Sequence, residues 1–284
     1  MLNHRLLRIE ILLVDLHTHT DASDGALKPC DLLRQAGDAG IALLSITDHD
    51  TVAAYRDLKQ PSYVTPHLVP GIEFSTEWNG IGVHVLGLNI DPDSEAIRAG
   101  AASQQVARRE RAERIGEKLE RVGIPDALAG ALAIAGPSVI GRPHFARFLV
   151  DTAIVRDTAQ AFKKYLGAGK VGDVKQCWAS FTQVIDWIRD GGGIAVLAHP
   201  GKYRLTPTKR LRLIENFRHL GGQGMEVISG RQDPLLTQTL AAAATTFNLL
   251  AACGSDFHRP DQRWAQLGMP LDLPAQCRPV WDAW

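Results

Sequence analysis

The sequence predicts an α/β fold built on a mainly parallel sheet. Three observations predict it. Short apolar runs alternate with helical segments at both ends of the 284-residue chain. A block of nearly one hundred mostly helical residues interrupts that alternation in the middle. And histidines and carboxylates recur just after the apolar runs, at the strand ends where loops of a parallel α/β barrel build a site.

The first apolar run, Ile11 to Val14, leads into Asp15-Leu16-His17-Thr18-His19. Strand alternation points His17 and His19 to one side. A polar loop with Asp21, Asp24 and Gly25 follows. Asp31 is expected to cap a helix running to Ala39, with Gly40 as its left-handed stop. Ile41 to Thr47 reads as a buried strand ending at Asp48-His49-Asp50, and Thr51 to Lys59 as a short helix. His67 to Val69 and Ile72 to Phe74 are strand signals around Pro70-Gly71, with Glu73 in the second. Val83 to Ile90 is another strand, with His84 near its start.

From Asp91 the composition changes. Ser94 to Val122 reads as a long solvent-facing helix, and its run Arg108-Arg109-Glu110-Arg111 as a wet face rather than an RNA track. Ala127 to Ala135, Pro143 to Asp151, Ala159 to Leu166 and Phe181 to Arg189 are further helices, Pro143 suiting a first helical position. Residues 91–177 are therefore expected to be an inserted, mostly helical cap on a body of residues 1–90 and 178–284, itself either a barrel or a doubly wound sheet. The alternation resumes with the strand Ile194 to Ala198, ending at His199-Pro200. A helix (Thr208 to Leu220), a strand (Gly224 to Ser229), a helix (Pro234 to Phe247) and a strand (Leu249 to Cys253) follow, the last ending at Gly254-Ser255-Asp256-Phe257-His258.

Lys+Arg and Asp+Glu are equal at 31 each, so no global charge points to duplex nucleic acid or an anionic membrane, and a polyanionic substrate must be met locally. Cys30, Cys177, Cys253 and Cys277 show no CxxC pairing, which fits a reduced, cytoplasmic protein without a thiolate zinc site. No apolar run is long enough to span a bilayer. No obligate protein partner is evident.

A lone histidine is more often structural than a ligand. Seven residues, His17, His19, His49, Glu73, His199, Asp256 and His258, gathered at strand ends are not explained one by one. Imidazole and carboxylate without thiolate suit Zn²⁺, Mn²⁺ or Fe²⁺. The donors outnumber what one ion takes, so two or three divalent ions are expected, Mn²⁺ foremost. Metal pairs about 3.5–4 Å apart drive phosphoester or amide hydrolysis. Asp15, Asp48 and Asp50 either orient imidazoles or cap turns.

Taken in order, Asp15-Leu16-His17-Thr18-His19, Ile46-Thr47-Asp48-His49-Asp50, Pro70-Gly71-Ile72-Glu73, Ala198-His199-Pro200 and Gly254-Ser255-Asp256-Phe257-His258 resemble the PHP (polymerase and histidinol phosphatase) superfamily. Gly141-Arg142-Pro143-His144-Phe145 inside the helical insert is most similar to the branch of nucleoside 3′,5′-bisphosphate phosphatases and 5′-3′ exoribonucleases. The resemblance implies a distorted (β/α)₇ barrel with a trinuclear centre: one ion on His17, His19, Glu73 and Asp256, a second on Glu73, His84 and His199, a third on Asp24, His49 and His258. It implies a hydrolase that removes the 3′-phosphate of nucleoside 3′,5′-bisphosphates through a metal-activated hydroxide, with Glu73, His199 and Asp256 as catalytic residues. His199 is one candidate for protonating the leaving oxygen. Arg142, His144 and Lys170 are expected to grip the remote phosphate of a small nucleotide or short RNA. The alternatives are a 5′-3′ exoribonuclease on short 5′-phosphorylated RNA and a noncatalytic metal-binding module. His4, His67 and His219 match no motif.

Overall fold

The computed structural model describes residues 13–56, 58, 66–175 and 177–284. Seven strands, β1 (Leu13–Thr18), β2 (Ile41–Ile46), β3 (His67–Trp78), β4 (Ile81–Leu88), β5 (Ile194–Leu197), β6 (Gly224–Ser229) and β7 (Leu250–Gly254), form one sheet in chain order. Thr18 bridges Phe257 in parallel, so the first strand meets the last and the sheet nearly closes into a barrel. Strand interiors such as Leu16, Ile46, Ile72, Leu86 and Ala252 are fully buried, as expected of strands covered on both faces.

The sheet is mixed, which departs from the parallel expectation. β3 pairs antiparallel with β4, and β4 antiparallel with β5. The cause is local: Asn79-Gly80 joins β3 to β4 with φ of 48° and 75°, the two-residue hairpin turn whose twist matches paired strands. The separate strand signals around Pro70-Gly71 are one continuous strand, because Pro70 and Gly71 sit where β3 exchanges β2 for β4 as its partner.

The helices are α1 (Pro29–Asp38), α2 (Glu95–Glu120), α3 (Ala127–Ala135), α4 (Arg142–Asp151), α5 (Thr158–Ala161, continued by a π turn over Phe162–Leu166), α6 (Phe181–Asp190), α7 (Pro207–His219) and α8 (Pro234–Thr246). Helix α1 starts one turn earlier than expected, with Pro29 in its first turn, while Asp31 pairs with Arg34 at 2.9 Å instead of capping. The expected helix at 51–59 is a single 3₁₀ turn, Ala53–Tyr55, and residues 57 and 59–65 lie outside the described residues. So does His4, whereas His67 and His219 are exposed.

Helix α2 is not solvent-facing all round. Ile97, Ala101, Gln104, Arg108, Arg111, Ala112, Ile115 and Leu119 are buried at helical spacing along one stripe. Its C-terminal half packs with α3, α4 and the π turn around Ile115, Leu119, Phe145, Leu149 and Leu166, a hydrophobic cluster separate from that of the sheet.

Candidate active site

The site is built by strand direction. β1 and β2 run toward one edge and deliver His17, His19 and His49 there. β3 continues past its pairing with β2, so Glu73 lies beyond the end of β2, paired with Leu86 and bridged to His49. β4 runs the opposite way, and for that reason its early residue His84 reaches the same edge, opposite Ser75. The edge is completed by His199 after β5 and by Asp256 and His258 after β7. Asp50, His199 and Asp256 adopt positive φ of 53°, 30° and 58°. Such conformations cost energy in non-glycine residues and persist where neighbours over-determine them.

Glu73, fully buried, is the hub. Its Oε2 lies 3.4 Å from His17 Nε2, 3.4 Å from His19 Nε2 and 2.9 Å from His49 Nδ1. Its Oε1 lies 2.8 Å from His84 Nδ1 and 3.0 Å from His199 Nε2. Asp256 Oδ1 sits 3.4 Å from both His17 Nε2 and His19 Nε2. Asp24 faces His258 Nε2 at 3.4 Å and His49 Nε2 at 3.9 Å. Donor atoms thus gather into three overlapping groups: His17, His19 and Glu73; His19, Asp24, His49 and His258; and His49, Glu73 and His84.

This set suits divalent cations on physical grounds. Glu73 Oε2, His19 Nδ1, His49 Nδ1 and His199 Nδ1 are buried without a hydrogen bond, a costly state for polar groups unless something else binds them. His17 and His19 bring their Nε2 atoms to 3.1 Å, closer than two imidazolium ions tolerate. Burial, with His258 and His49 nearby, lowers His19 to about 3 and keeps it neutral. Although burial works against it, Glu226, Glu73 and Asp256 raise His17 well above its ordinary value. Around that ring is a negative field that draws a cation. Burial pushes Glu73 and Asp24 upward, but the surrounding histidines win and hold both well below the carboxylate range. Despite burial, Glu73 and Asp24 raise His49 as well, and Asp24 raises His258 to about 9, so a bound cation would take the place of these protons and leave neutral imidazole beside ionised carboxylate, the state in which these groups ligate metals.

Three supporting residues carried no sequence signal. Glu226, buried in β6, accepts from the His17 ring at Nδ1, 3.1 Å away, and from the His199 backbone N–H, fixing one ring and one turn. Lys202 Nζ lies 2.6 Å from Asp256 Oδ2. The Tyr203 hydroxyl accepts the His84 N–H at 2.8 Å. The aspartates flanking the histidines hold backbone and hydroxyls instead of imidazoles. Asp15 accepts from Ser255 N at 2.8 Å, Asp48 from Thr20 N at 2.7 Å and Ser23 Oγ at 2.6 Å, and Asp50 from Ser75 N at 2.7 Å.

Beside this cluster lies a second polar centre. Arg108, Arg111 and Arg142 line a narrow cleft with Ile140, Gly141 and Phe145. The wet-face reading of Arg108 and Arg111 is corrected here, since both are buried. Arg108 and Arg111 stack on the Trp178 ring at 5.3 and 5.1 Å. Burial and the neighbouring Arg142 lower Arg111 to about 10, the mark of like charges crowded together. Arg142 donates to Leu166 O at 3.2 Å, leaving most of its fork free. His144 is buried, and its Nδ1 accepts from Gly141 N at 3.0 Å, which shapes the loop. Lys170 is exposed, and no hydrogen bond or ion pair among the described residues joins its side chain to Arg142 or His144. Ser138 Oγ donates to Asp21 O and Val139 N to Ala22 O, so the loop before α4 is fastened to the loop that carries Asp24.

Such an edge of imidazoles around one buried glutamate is that of a metal-dependent phosphoesterase, and comparison with known proteins agrees. No family model matches the chain. It is 42% identical over 276 residues to the 5′-3′ exoribonuclease Rnm of Escherichia coli, covering 96% of this chain and 94% of the relative. It is 40% identical over 272 residues to a 3′,5′-nucleoside bisphosphate phosphatase of Chromobacterium violaceum, covering 94% and 95%. A solved structure from Bifidobacterium adolescentis, described as a metal-dependent phosphoesterase, is 28% identical with a TM-score of 0.75, covering 96% of this chain and 94% of that one. The chain belongs to the PHP family of metal-dependent phosphoesterases, in the branch that holds nucleoside bisphosphate phosphatases and Rnm exoribonucleases, and is a hydrolase. Among the described residues no helix is long and apolar enough to cross a membrane.

Proposed function

We propose that this phosphoesterase removes the 3′-phosphate from nucleoside 3′,5′-bisphosphates such as adenosine 3′,5′-bisphosphate. The observation that carries the reading is the pairing of two unlike centres: a cluster of metal donors, and a cleft in which Arg111 and Arg142 crowd together with no carboxylate among the described residues hydrogen-bonded to either, Asp173 acting on them at longer range. A substrate with two phosphates separated by a ribose answers both. The donor set suits two or three divalent ions, Mn²⁺ first and Zn²⁺ or Fe²⁺ otherwise. His17, His19, Glu73 and Asp256 would hold one; Asp24, His49 and His258 another; and Glu73 with His84 and His199 a third. When bound, the ions would supply Lewis acidity that activates water and offsets phosphoryl charge.

The chain's own residues do the rest. Glu73 gathers the donors, and Glu226 fixes the His17 ring. His199, at the rim, is a candidate to protonate the leaving 3′ oxygen. Arg142 and Arg111 grip the 5′-phosphate through planar forks and position the 3′-phosphorus. We read residues 91–177 as an inserted cap that sets substrate size, supported by its own hydrophobic cluster. Four unpaired cysteines fit a cytoplasmic setting.

Hydrolysis of short 5′-phosphorylated RNA from its 5′ end is the second reading, supported by the relative named as an exoribonuclease. A 3′-phosphomonoester and a 3′-5′ phosphodiester offer the same phosphorus beside the same 5′-phosphate. The test strips metal, restores Mn²⁺ and compares adenosine 3′,5′-bisphosphate with a 5′-phosphorylated oligoribonucleotide. Phosphate released from the bisphosphate supports the first reading, and mononucleotide release from the oligomer alone supports the second. Neither product would refute both.

A further inference from the structure

Arg108 sits among the pocket arginines, yet its guanidinium is committed elsewhere. Nε donates to Asp50 Oδ2 at 2.6 Å, one Nη to Ser75 Oγ at 3.0 Å and the other to Ile140 O at 3.4 Å. Gln104, one turn earlier on α2, donates to Asp50 Oδ1 and to Ser75 O. Ser75 in turn gives its N–H and hydroxyl to Asp50 at 2.7 and 2.8 Å. All of these donors but one converge on the Asp50 carboxylate or on Ser75, and the exception, one Arg108 Nη, reaches Ile140 O.

The two ends of the network are the important places. Asp50 follows His49, holds a positive φ, and donates its own N–H to Glu73 O at 2.9 Å. Ser75 stands two residues beyond Glu73 on the same strand face. At the other end, Ile140 O precedes Gly141 and Arg142, whose loop frames the arginine pocket. A Cβ on Gly141 would come 3.3 Å from the same guanidinium. One planar, five-donor group thus spans from the pocket backbone to the segment that presents His49 and Glu73, a span a lysine point charge does not reproduce.

We infer that Arg108 is a positioning residue that couples the occupied arginine pocket to the geometry of His49 and Glu73, so that binding of the remote phosphate raises kcat as well as affinity. The inference rests on the reading of that pocket as the remote-phosphate site. An anion held by Arg111 and Arg142 steadies the 140–142 loop. Arg108 passes that constraint to Asp50, and Asp50 to the two neighbours that face the reacting phosphate. Remote binding energy is then realised at the reaction centre.

The test measures kcat and KM on adenosine 3′,5′-bisphosphate and adenosine 3′-monophosphate for the Mn²⁺-loaded wild type, Arg108→Lys and Ser75→Ala, with bound metal counted by elemental analysis. The wild type is expected to turn over the bisphosphate with the higher kcat. Arg108→Lys is expected to lower the bisphosphate kcat at least tenfold more than the monophosphate kcat while retaining its metal. Ser75→Ala, a smaller cut in the same network, is expected to narrow the ratio about threefold, and it stands as the test if the lysine variant does not fold. Equal loss on both substrates, an unchanged ratio, or loss of metal from the variants would overturn the coupling role alone. A wild type indifferent to the 5′-phosphate would overturn the remote-phosphate reading together with the inference.

Discussion

The strand edge and the arginine pocket both bury charge and manage it in opposite ways. At the edge, carboxylates and imidazoles of opposite tendency are interleaved around Glu73, so each group's burial is offset by its neighbours and a field attractive to cations remains. In the pocket, like charges are crowded, and among the described residues Arg108 alone of the three has a carboxylate at hydrogen-bonding distance, Asp173 acting on the others at longer range. The first arrangement invites metal ions and sets the chemistry. The second invites an anion and sets what is brought to that chemistry.

The sharpest way to break this contrast is at the hub. Glu73→Gln keeps the volume but removes the charge shared by five imidazoles, and phosphoesterase activity is expected to fall by roughly 10³-fold or more, about 4 kcal/mol of transition-state stabilisation. An equally active variant would remove Glu73 from the centre of the account. Metal removal comes next. Stripping one ion present at about 100 times its dissociation constant withdraws about 2.7 kcal/mol of linkage, which for a 284-residue chain lowers Tm by roughly 4–5 °C. A chelator that leaves the melting curve unmoved would contradict the donor set. A smaller effect is expected at Glu226→Gln, where Mn²⁺ titration should show affinity weakened about 10- to 100-fold, with activity recovering at high metal. Unchanged affinity would reduce Glu226 to a packing residue.

The two regions were also unequally legible in the sequence. The edge could be read because most of its residues follow an apolar run, Asp24 and His84 being the exceptions, and strand direction then places them together. His84, near the start of its strand, would lie at the far edge of a wholly parallel sheet. The signal was present in Asn79-Gly80, whose positive φ angles reverse the chain and aim the start of β4 at the site. The arginine pocket could not be read this way. Gln104, Arg108 and Arg111 occupy the buried stripe of α2 and erase the apolar periodicity by which a buried helical face is recognised. Their partners are distant in sequence: Asp50 for Arg108, Val174 O for Arg111. Glu226 was hidden for a related reason, as a single carboxylate inside an otherwise apolar strand. Buried polar residues justified by long-range partners leave no local pattern.

The division of labour between the two regions is tested most directly by steady-state phosphate release from Arg142→Ala in Mn²⁺, with adenosine 3′,5′-bisphosphate and adenosine 3′-monophosphate side by side. Loss of a charge-assisted contact worth about 1.5–3 kcal/mol is expected to lower kcat/KM on the bisphosphate by roughly 10- to 100-fold and on the monophosphate far less. The same loss on both substrates would contradict the separation of chemistry from substrate choice.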